Sequence, residues 1–430
     1  MAKEYEQHDP SEERLKRQRQ QQAMLRRQQR WLRWIAGGCV GLVTLLVMCI
    51  VLMRSCQSAE APTVPAQTTQ LPTSTAPSAP KEGQTVIHIV AGGDVHVTDH
   101  VVAAGDRDGR YDFTHLFMDI APILSNADAT IVNFEGNLVG APYGTDNASA
   151  PQELMSALER AGVDLIQMAN SYSIQNGILG LNTTLERIRQ AGMEPLGAFA
   201  SQEEYDRTQG FTIKEIQGVR VAFVAFTKGM GGLTLPEGSE DRVNLLYTDY
   251  ATGYQKIDEA GIKATLKAIE AQQPDVTIAL LHWGSEHKNI ISENQKQIKK
   301  LMLENGVDAI IGTHSHYVQT VEYDQTAGTV VAYSLGDLLG DASAPDTNYS
   351  ILLQLQITKD YATGQTTITG CDYTSVYTLT TNRDGETMRL VRLESAMTMY
   401  ENNHVDRISP KAYENLKTAR NKIKNKTGMP

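Results

Sequence analysis

From Val86 onward, short apolar runs typical of strands alternate with helical patterns. The helical segments, in chain order, are FTHLFMDIAPIL, PQELMSALERAGV, GLNTTLERIRQAG, IKATLKAIEAQQ and ISENQKQIKKLMLENG. The strand segments are VIHIVAGGD, ATIVNFEG, DLIQMAN, EPLGAF, TIALLHWG, DAIIGTHSH, TVVAYSLGD, ILLQLQIT and TTITGCDYTSVYTL. FTIKEIQGVRVAFVAFT predicts a hairpin with Gly218 at its turn, and Gly92 and Gly93 are expected to permit a tight turn after the first strand. Because βα units are joined to hairpins, the pattern predicts a mixed α/β sandwich and not a purely parallel doubly wound sheet.

An uncharged apolar run, WIAGGCVGLVTLLVMCIVLM, lies between Arg33 and Arg54. It is long enough to cross a hydrocarbon layer of ~30 Å as a helix, so residues 35–53 are predicted to form one transmembrane helix. A cleaved signal peptide would have a shorter apolar region and a small-residue cleavage site. A lipoprotein-type Cys56 is disfavoured by Arg54 two residues before it and by the long polar segment that precedes the run. An uncleaved anchor is therefore the preferred interpretation.

The flanks of this run predict its orientation. Arg14 to Arg33 contain eight basic side chains and no acidic one, whereas the other flank offers Arg54. This asymmetry predicts that segment 1–34 is cytoplasmic and that the rest of the chain lies outside the cell membrane. Segment 54–85 is rich in Pro, Ser and Thr and is expected to be an extended linker.

The net charge of −11 combines two unlike parts of the chain. Met1 to Arg54 carry ten Lys/Arg against five Asp/Glu, a balance of +5, so Ser55 to Pro430 carry −16. An acidic globular part argues against nucleic acid as a partner. Three of the four cysteines lie in or beside the apolar run, and Cys371 is the remaining one, so the globular part has no internal disulfide.

Acidic, histidine and amide residues stand at the ends of the predicted strands. They are Asp94 and His96 in GGDVH, Glu135 in NFEG, Asn170 in MANSYS, His282 and Glu286 in HWGSEH, and His314 and His316 in GTHSH. Parallel strands gather ligand groups at their carboxyl ends, so these segments are expected to meet in one crevice. Carboxylate and imidazole ligands suit Mn, Fe or Zn, and a two-metal centre would polarise a phosphoryl group and activate water.

Six motifs in this order give the chain a family resemblance. The motifs are GGDVH, NFEGNL, MANSYSIQNGILGLNTTLERIRQAGMEPLGAF, LLHWGSEH, IIGTHSHYVQTVE and VAYSLGDLL. Together they resemble the CapA proteins of poly-γ-glutamate capsule synthesis, in the calcineurin-like metallophosphatase superfamily. The resemblance implies a four-layer αββα sandwich over residues 86–379, and it leaves residues 380–430 as a C-terminal extension with a basic tail, a peripheral helix or a frayed end.

The resemblance also implies roles for individual residues. The family's metal ligands match residues Asp94, Glu135, His282, His314 and His316, and His96 stands at a superfamily ligand position. Asn170 matches a residue that supports the loop or borders the site. Glu286 is either a partner of a ligand histidine or an exposed residue at a helix start.

One motif departs from the family pattern, approximately Ala-Asn-Asn-His-x-x-Asp-x-Gly. Ser171 replaces an Asn of the metal bridge, Tyr172 replaces the His used for proton transfer, and Gln175 replaces the Asp. Asp337 replaces the Asn that usually follows Ser-Leu-Gly. Because a phenol with a pKa near ~10 is a poor general acid or base at neutral pH, efficient phosphatase activity is not expected.

Two functions remain open at this point. The first is a membrane-anchored, extracytoplasmic, metal-dependent hydrolase or transferase for synthesis, export or attachment of an anionic surface polymer. The second is a non-catalytic module that binds the polymer or other proteins of envelope biosynthesis. A secreted peptidase or glycosidase is disfavoured, since the chain has neither a Gly-x-Ser-x-Gly elbow nor a His-Glu-x-x-His helix.

Overall fold

A computed structural model describes residues 83–383, 386–402 and 408–429. The predicted cytoplasmic segment, the transmembrane helix and nearly all of the linker lie outside these residues. Within the described ranges, no helix combines the length and the apolar character needed to cross a bilayer.

The described chain forms two sheets and a small hairpin from sixteen strands. In chain order the strands are β1 (Gln84–His96), β2 (Asp106–Arg107), β3 (Arg110–Tyr111), β4 (Ala129–Glu135), β5 (Leu165–Gln167), β6 (Glu194–Leu196), β7 (Phe211–Ile216), β8 (Val219–Thr227), β9 (Val276–His282), β10 (Ala309–Thr313), β11 (Val321–Asp324), β12 (Thr329–Ala332), β13 (Asp337–Leu339), β14 (Tyr349–Asp360), β15 (Thr366–Arg383) and β16 (Glu386–Arg392).

The α-helices of the described residues connect these strands or follow them. They are α1 (Asp99–Gly105), α2 (Thr114–Phe117), α3 (Ala121–Leu124), α4 (Glu153–Ala161), α5 (Gly177–Gln190), α6 (Gln202–Thr208), α7 (Glu259–Ala271), α8 (Glu293–Glu304), α9 (Leu393–Glu401) and α10 (Pro410–Thr427). The prediction of a single helix over FTHLFMDIAPIL is wrong. The segment forms two short helices, α2 and α3, and Pro122 lies in the first turn of α3.

Sheet I has the strand order β16-β15-β14-β1-β4-β5-β6, with β13 also paired to β1. Sheet II has the order β11-β12-β10-β9-β8-β7. In sheet I, the neighbouring pairs in the series β1-β4-β5-β6 are parallel. In sheet II, the neighbouring pairs in the series β12-β10-β9-β8 are parallel. The outer pairs of both sheets are antiparallel. The prediction of a mixed α/β sandwich is confirmed.

The alternation of β8 shows how the layers pack. Val221, Phe223 and Ala225 join the core cluster that contains residues of β1 and β14. Their neighbours Ala222, Val224 and Phe226 join the cluster formed with α7 and α8. Successive strand side chains point to opposite faces, so sheet II packs against sheet I on one face and against helices on the other.

Four aspartates stand immediately before parallel strands and fasten each to its neighbour. We call Asp128, Asp164, Asp275 and Asp308 the strand-start aspartates. Their Oδ2 atoms accept the backbone N–H of His88, Thr130, Arg220 and Thr277, at 2.7, 2.8, 2.7 and 2.7 Å. Each aspartate also donates its own N–H to the carbonyl oxygen of the same residue. These paired bonds hold the register of the strands at their amino ends.

The glycine pair in β1 has a different purpose from the one predicted. Gly92 and Gly93 lie within the strand and not in a turn after it. A Cβ on Gly93 would lie 1.8 Å from the carbonyl oxygen of Gly336. The glycine is therefore needed because β13 approaches β1 closely and aligns Asp337 with Asp94.

The C-terminal residues continue the same sheet. The boundary predicted after Leu379 falls inside β15, and β16 pairs with β15 beyond it. The basic tail forms α10, whose start is capped by the Ser409 hydroxyl. The helix buries Leu416 and Ile423 in the main core cluster, so it packs on the sandwich and is not a frayed end.

Candidate metal centre

The predicted site residues converge at the carboxyl ends of the parallel strands. His96 at the end of β1 is aligned with Glu135 at the end of β4. In sheet II, His282 ends β9 and is aligned with Thr313, the residue before His314. The two sheets thus bring together side chains that are far apart in the sequence.

Their potential ligand atoms form three overlapping groups, in each of which all atoms lie within 4.8 Å of one another. We use the name carboxylate group for the set of residues Asp94, His316 and Asp337, and the name imidazole group for the set Glu135, His282 and His314. The third group, His96, Glu135 and His316, connects these two. This set of shared carboxylates and imidazoles fits one or two divalent transition-metal ions.

Negative charge is concentrated in the carboxylate group. Burial raises the pKa of Asp94 to about 6, although the nearby His316 acts in the opposite direction. Burial alone would lower the pKa of His316, but Asp337, Glu135 and Asp94 raise it well above its usual value. His316 Nδ1 lies 2.7 Å from Asp337 Oδ1 and 3.9 Å from Asp94 Oδ2, which explains this stabilised cation.

The imidazole group has the opposite electrostatic character. Burial, followed by the charge of His314, holds the pKa of His282 well below its usual value. Burial, followed by the charge of Lys228, does the same for His314. Both rings are therefore neutral near pH 7, the state in which imidazole binds metal. His314 Nδ1 is buried and has no hydrogen-bond partner among the described residues, as expected of a ligand atom.

Glu135 belongs to both the imidazole group and the connecting group. Its Oε1 lies 3.4 Å from His282 Nδ1, and its Oε2 lies 3.9 Å from His316 Nε2. Burial, followed by the charge of Asp94, raises its pKa well above the usual value. Glu135 is therefore shared by two groups of residues that could hold a metal ion.

The two residues of the His-x-His pair have unusual backbone conformations. His314 has φ 92° and His316 has φ 59°. Left-handed conformations are uncommon for residues other than glycine and are frequently found at functional sites. Here the conformation places His314 in the imidazole group and His316 in the carboxylate group.

Asn133 is a central residue that the sequence reasoning missed. Its Nδ2 donates to Asp94 Oδ1 at 2.6 Å and to Glu135 Oε1 at 3.2 Å. Its Oδ1 accepts from Asn170 Nδ2 at 3.0 Å, and Asn170 also donates to the Phe134 carbonyl oxygen. Asn133 orients two carboxylates, and Asn170 supports Asn133. The signal was a polar residue within the apolar run IVNFEG, two residues before Glu135 and on the same strand face.

The motif that departs from the family pattern, residues 169–177, borders the site, and we call it the divergent motif. Ser171 Oγ lies 3.0 Å from His282 Nε2, and Tyr172 OH lies 3.1 Å from His96 Nε2. Burial, followed by the charge of Glu135, raises the pKa of Tyr172, so its hydroxyl keeps its proton at neutral pH. Gln175 is exposed on the following turn. Tyr172 can donate a hydrogen bond at this rim, but it cannot exchange a proton readily.

Lys228 and Glu286 provide two further charges near the site. Lys228 directly follows β8, and its N–H donates to the carbonyl oxygen of His282 at 2.8 Å. Sequence reasoning missed it, although it follows an apolar strand run in the same way as the predicted ligands. Glu286 is exposed; burial lowers the pKa of both His96 and Lys228, and the charge of Glu286 partly offsets this lowering. It belongs to none of the three ligand groups.

Two facing mixed sheets with a buried Asp/Glu/His cluster at their carboxyl edge are the arrangement expected of a metallophosphatase-type sandwich. The model of one family, described as bacterial capsule synthesis protein PGA_cap, matches residues 88–342. This match covers more than half of the 430 residues, so the chain belongs to that family. The resemblance inferred from the motifs is confirmed.

Two curated relatives carry corresponding names. The chain is 25% identical over 273 residues to the capsule biosynthesis protein CapA of Bacillus anthracis, covering 62% of each protein. It is 24% identical over 289 residues to the PGA biosynthesis protein CapA of Bacillus subtilis, covering 65% of this chain and 70% of that protein. The chain thus spans about three fifths of the length of the Bacillus anthracis protein.

Solved structures with a similar arrangement include the calcineurin-like phosphoesterase YfkN of Bacillus subtilis. The match has a TM-score of 0.40 and 15% identity, and it covers 78% of this chain and 99% of that chain. A phosphatase from Mycoplasma pneumoniae matches with a TM-score of 0.42 and 14% identity, over 68% of this chain and 94% of that one.

Proposed function

We propose that this protein acts in the biosynthesis of an anionic cell-surface polymer of the poly-γ-glutamate type, through a metal-dependent centre with weakened proton transfer. The membership of the PGA_cap family and the names of the two Bacillus relatives support the polymer class. The apolar run at 35–53 and its basic flank support a single-pass anchor in the cell membrane with the globular part outside. A protein anchored in this way could act in synthesis, export or attachment of the polymer, and it would do so with other envelope proteins.

One observation supports the metal centre most strongly: Glu135 and His316 are buried, and each belongs to two of the three groups of potential ligands. A divalent ion held there would polarise a phosphoryl or carbonyl oxygen and lower the pKa of a bound water. Asp94, Asp337 and Glu135 would supply the anionic ligands, and His282 and His314 the neutral ones. Asn133 and Asn170 hold the carboxylates in place, as outer partners do at metal sites.

A non-catalytic binding module is the second candidate, and the divergent motif favours it. The Ser171 hydroxyl forms a hydrogen bond with His282 Nε2, and Tyr172, which stands where the family pattern has a histidine, retains its proton. Such a site would hold metal and bind an anionic group without efficient turnover.

Restoring the family residues separates the two candidates. The metal content of the full chain is measured first, and hydrolysis of phosphomonoesters and phosphodiesters is then compared with that of a Ser171→Asn/Tyr172→His variant. We expect bound metal, weak wild-type hydrolysis and a gain of roughly 100-fold or more in the variant, because a positioned imidazole contributes roughly 10²–10⁴-fold as a general acid or base.

Gln175→Asp is the matched control, since it also restores a family residue but lies exposed, and it should change little. A metal-loaded double variant that remains inactive would favour the binding module. Wild-type protein without stoichiometric metal would refute the metal centre itself.

A further inference from the structure

The segment after β8 brings a basic side chain to the imidazole group. Lys228 lies beside His282, with which it forms a backbone hydrogen bond of 2.8 Å. Its charge is one of the causes that lower the pKa values of both His282 and His314. Lys228 therefore lies at the side of the metal centre that is poorest in carboxylates.

The ammonium group of Lys228 is half-buried and has no carboxylate ion-pair partner among the described residues. Its Nζ donates to the carbonyl oxygen of Gly284 at 2.7 Å and lies 4.4 Å from the centroid of the Tyr254 ring. Burial lowers the pKa of Lys228, and the charge of Glu286 partly offsets this lowering without forming an ion pair with the lysine. An ammonium has three donors, and the carbonyl oxygen uses one. A partly desolvated cation of this kind is stabilised by an anion that completes its shell.

Other half-buried lysines of the described chain have such partners. Lys359 Nζ lies 2.6 Å from Asp275 Oδ2, and Lys299 Nζ lies 2.5 Å from Glu322 Oε2. The lysine beside the metal centre thus differs from lysines that stabilise the fold, because its counter-charge is not supplied by the protein at contact distance.

The backbone around Lys228 is held in place on two sides. A Cβ on Gly229 would lie 2.3 Å from the carbonyl oxygen of Tyr250, so the loop packs tightly against the segment that carries Tyr254. On the other side, a Cβ on Gly231 would lie 3.8 Å from the carbonyl oxygen of Ser171. The segment that follows Lys228 thus packs against Tyr250 and passes near Ser171 of the divergent motif.

We propose that Lys228 is the anion-recognition residue of this site, binding a phosphate or carboxylate oxyanion of the substrate next to the Glu135–His282–His314 group; this inference rests on the proposed function. Carboxylates lie elsewhere in the site: Asp94 and Asp337 are buried in the carboxylate group, and Glu286 is exposed near Lys228. A single fixed cation on the imidazole side gives an anionic polymer one favourable direction of approach.

Binding of inorganic phosphate and of acetate to the Mn²⁺-loaded full chain, measured by isothermal titration calorimetry, tests this inference. Lys228→Gln should weaken binding of the preferred anion by roughly 10- to 100-fold, since a hydrogen bond to a charged group is lost. Lys228→Arg keeps the charge and should stay within a few-fold of wild type, which also shows that the position tolerates substitution. The tighter of the two anions identifies the phosphate or the carboxylate source.

Lys288→Gln is the matched control, because Lys288 is exposed on the segment after β9 and its loss changes the net charge equally. Equal weakening by Lys288→Gln and Lys228→Gln would overturn the inference in favour of diffuse attraction. Unchanged affinity in metal-loaded Lys228→Gln would overturn it while leaving the metal centre intact. Lys228-dependent anion binding by a protein that takes up no metal would support the inference and refute the proposed function, and a protein that binds neither metal nor anion would refute both.

Discussion

The parallel strands carry acidic side chains at both ends, in different surroundings. At the amino ends, Asp164 and Asp308 each accept the backbone N–H of the neighbouring strand, at 2.8 and 2.7 Å. Near the carboxyl ends of β1 and β4, Asp94 and Glu135 are 0% and 1% exposed, and Asp337, which begins β13 opposite Asp94, is 3% exposed. These three carboxylates share their surroundings with buried imidazoles. The same chemical group is thus used in one place to join backbone segments and in another to concentrate charge.

This difference separates structural from functional carboxylates by their partners. A strand-start aspartate accepts a backbone N–H of its neighbouring strand, which offsets part of its desolvation: burial still raises the pKa of Asp164 and Asp308, and the N–H of the neighbouring strand acts in the opposite direction. Asp94 and Glu135 are buried without such a strand partner and beside other carboxylates. Burial, followed by neighbouring carboxylates, raises the pKa of Asp94 to about 6 and that of Glu135 well above its usual value, which records the cost of burying their charge. A cation bound between them would remove that cost, which is why such clusters mark functional sites.

The largest expected effect is loss of metal from a Glu135→Gln variant. Glu135 contributes to two ligand groups, so its loss should weaken metal binding by more than the roughly 100-fold seen when an outer partner is removed. The metal-free variant should be no less stable than metal-free wild type, because a neutral amide relieves repulsion by Asp94. Metal titration and urea unfolding of the metal-free proteins measure the two effects.

Asp164→Asn is the matched control at the amino end, since it makes the same acid-to-amide change away from the site. It should retain full metal binding. If both variants lose metal equally, the distinction between the two ends of the strands fails.

The rule that strand ends carry the chemistry was enough to predict which side chains cluster. Asp94, Glu135, His282 and His314 each end or follow an apolar run, and pairing of the strands as parallel neighbours brings them together. The hairpin of β7 and β8 could also be predicted from a local pattern, because Gly218 separates two apolar runs. Its φ of 90° in the structure is the turn conformation that favours glycine.

The remaining features depend on contacts between distant segments. The role of Gly93 depends on the approach of Gly336, which no local pattern shows. Asn133 becomes important when Asp94 and Asn170 are placed on either side of it. The continuation of sheet I through β16 likewise depends on pairing with β15, not on the composition of the tail.

The second prediction concerns the pH dependence of the metal-free protein. The folded-state pKa of Asp94, about 6, is above the unfolded value near ~3.9. The contribution of this group to stability is therefore fully present below about pH 4 and is lost as the pH rises through about 6. Two pKa units correspond to on the order of 3 kcal/mol. The free energy of unfolding of Asp94→Asn, relative to wild type, should rise by up to that amount between about pH 4 and 7.

Urea unfolding of both metal-free proteins across this pH range provides the measurement. Parallel profiles for wild type and Asp94→Asn would show that burial of Asp94 does not oppose folding. Asp164→Asn again serves as the comparison: burial also raises the pKa of Asp164, although the N–H of Thr130 acts in the opposite direction, so its gain in stability as the pH rises should have the same sign and be smaller.

The smallest effect is expected at the amino ends, where Asp308→Ala removes a backbone contact but no ligand. Thr277 N–H would lose its 2.7 Å acceptor near the start of β9, and an unsatisfied, partly buried donor costs about 1–3 kcal/mol. Asp308→Asn retains an acceptor oxygen and should lose less than half as much. Both variants should bind metal as wild type does, because β10 still presents His314 in register with β9 once folded. A loss of metal affinity in Asp308→Ala, measured under conditions where the variant is fully folded, would mean that register at the amino ends and ligand geometry at the carboxyl ends are coupled along the strands.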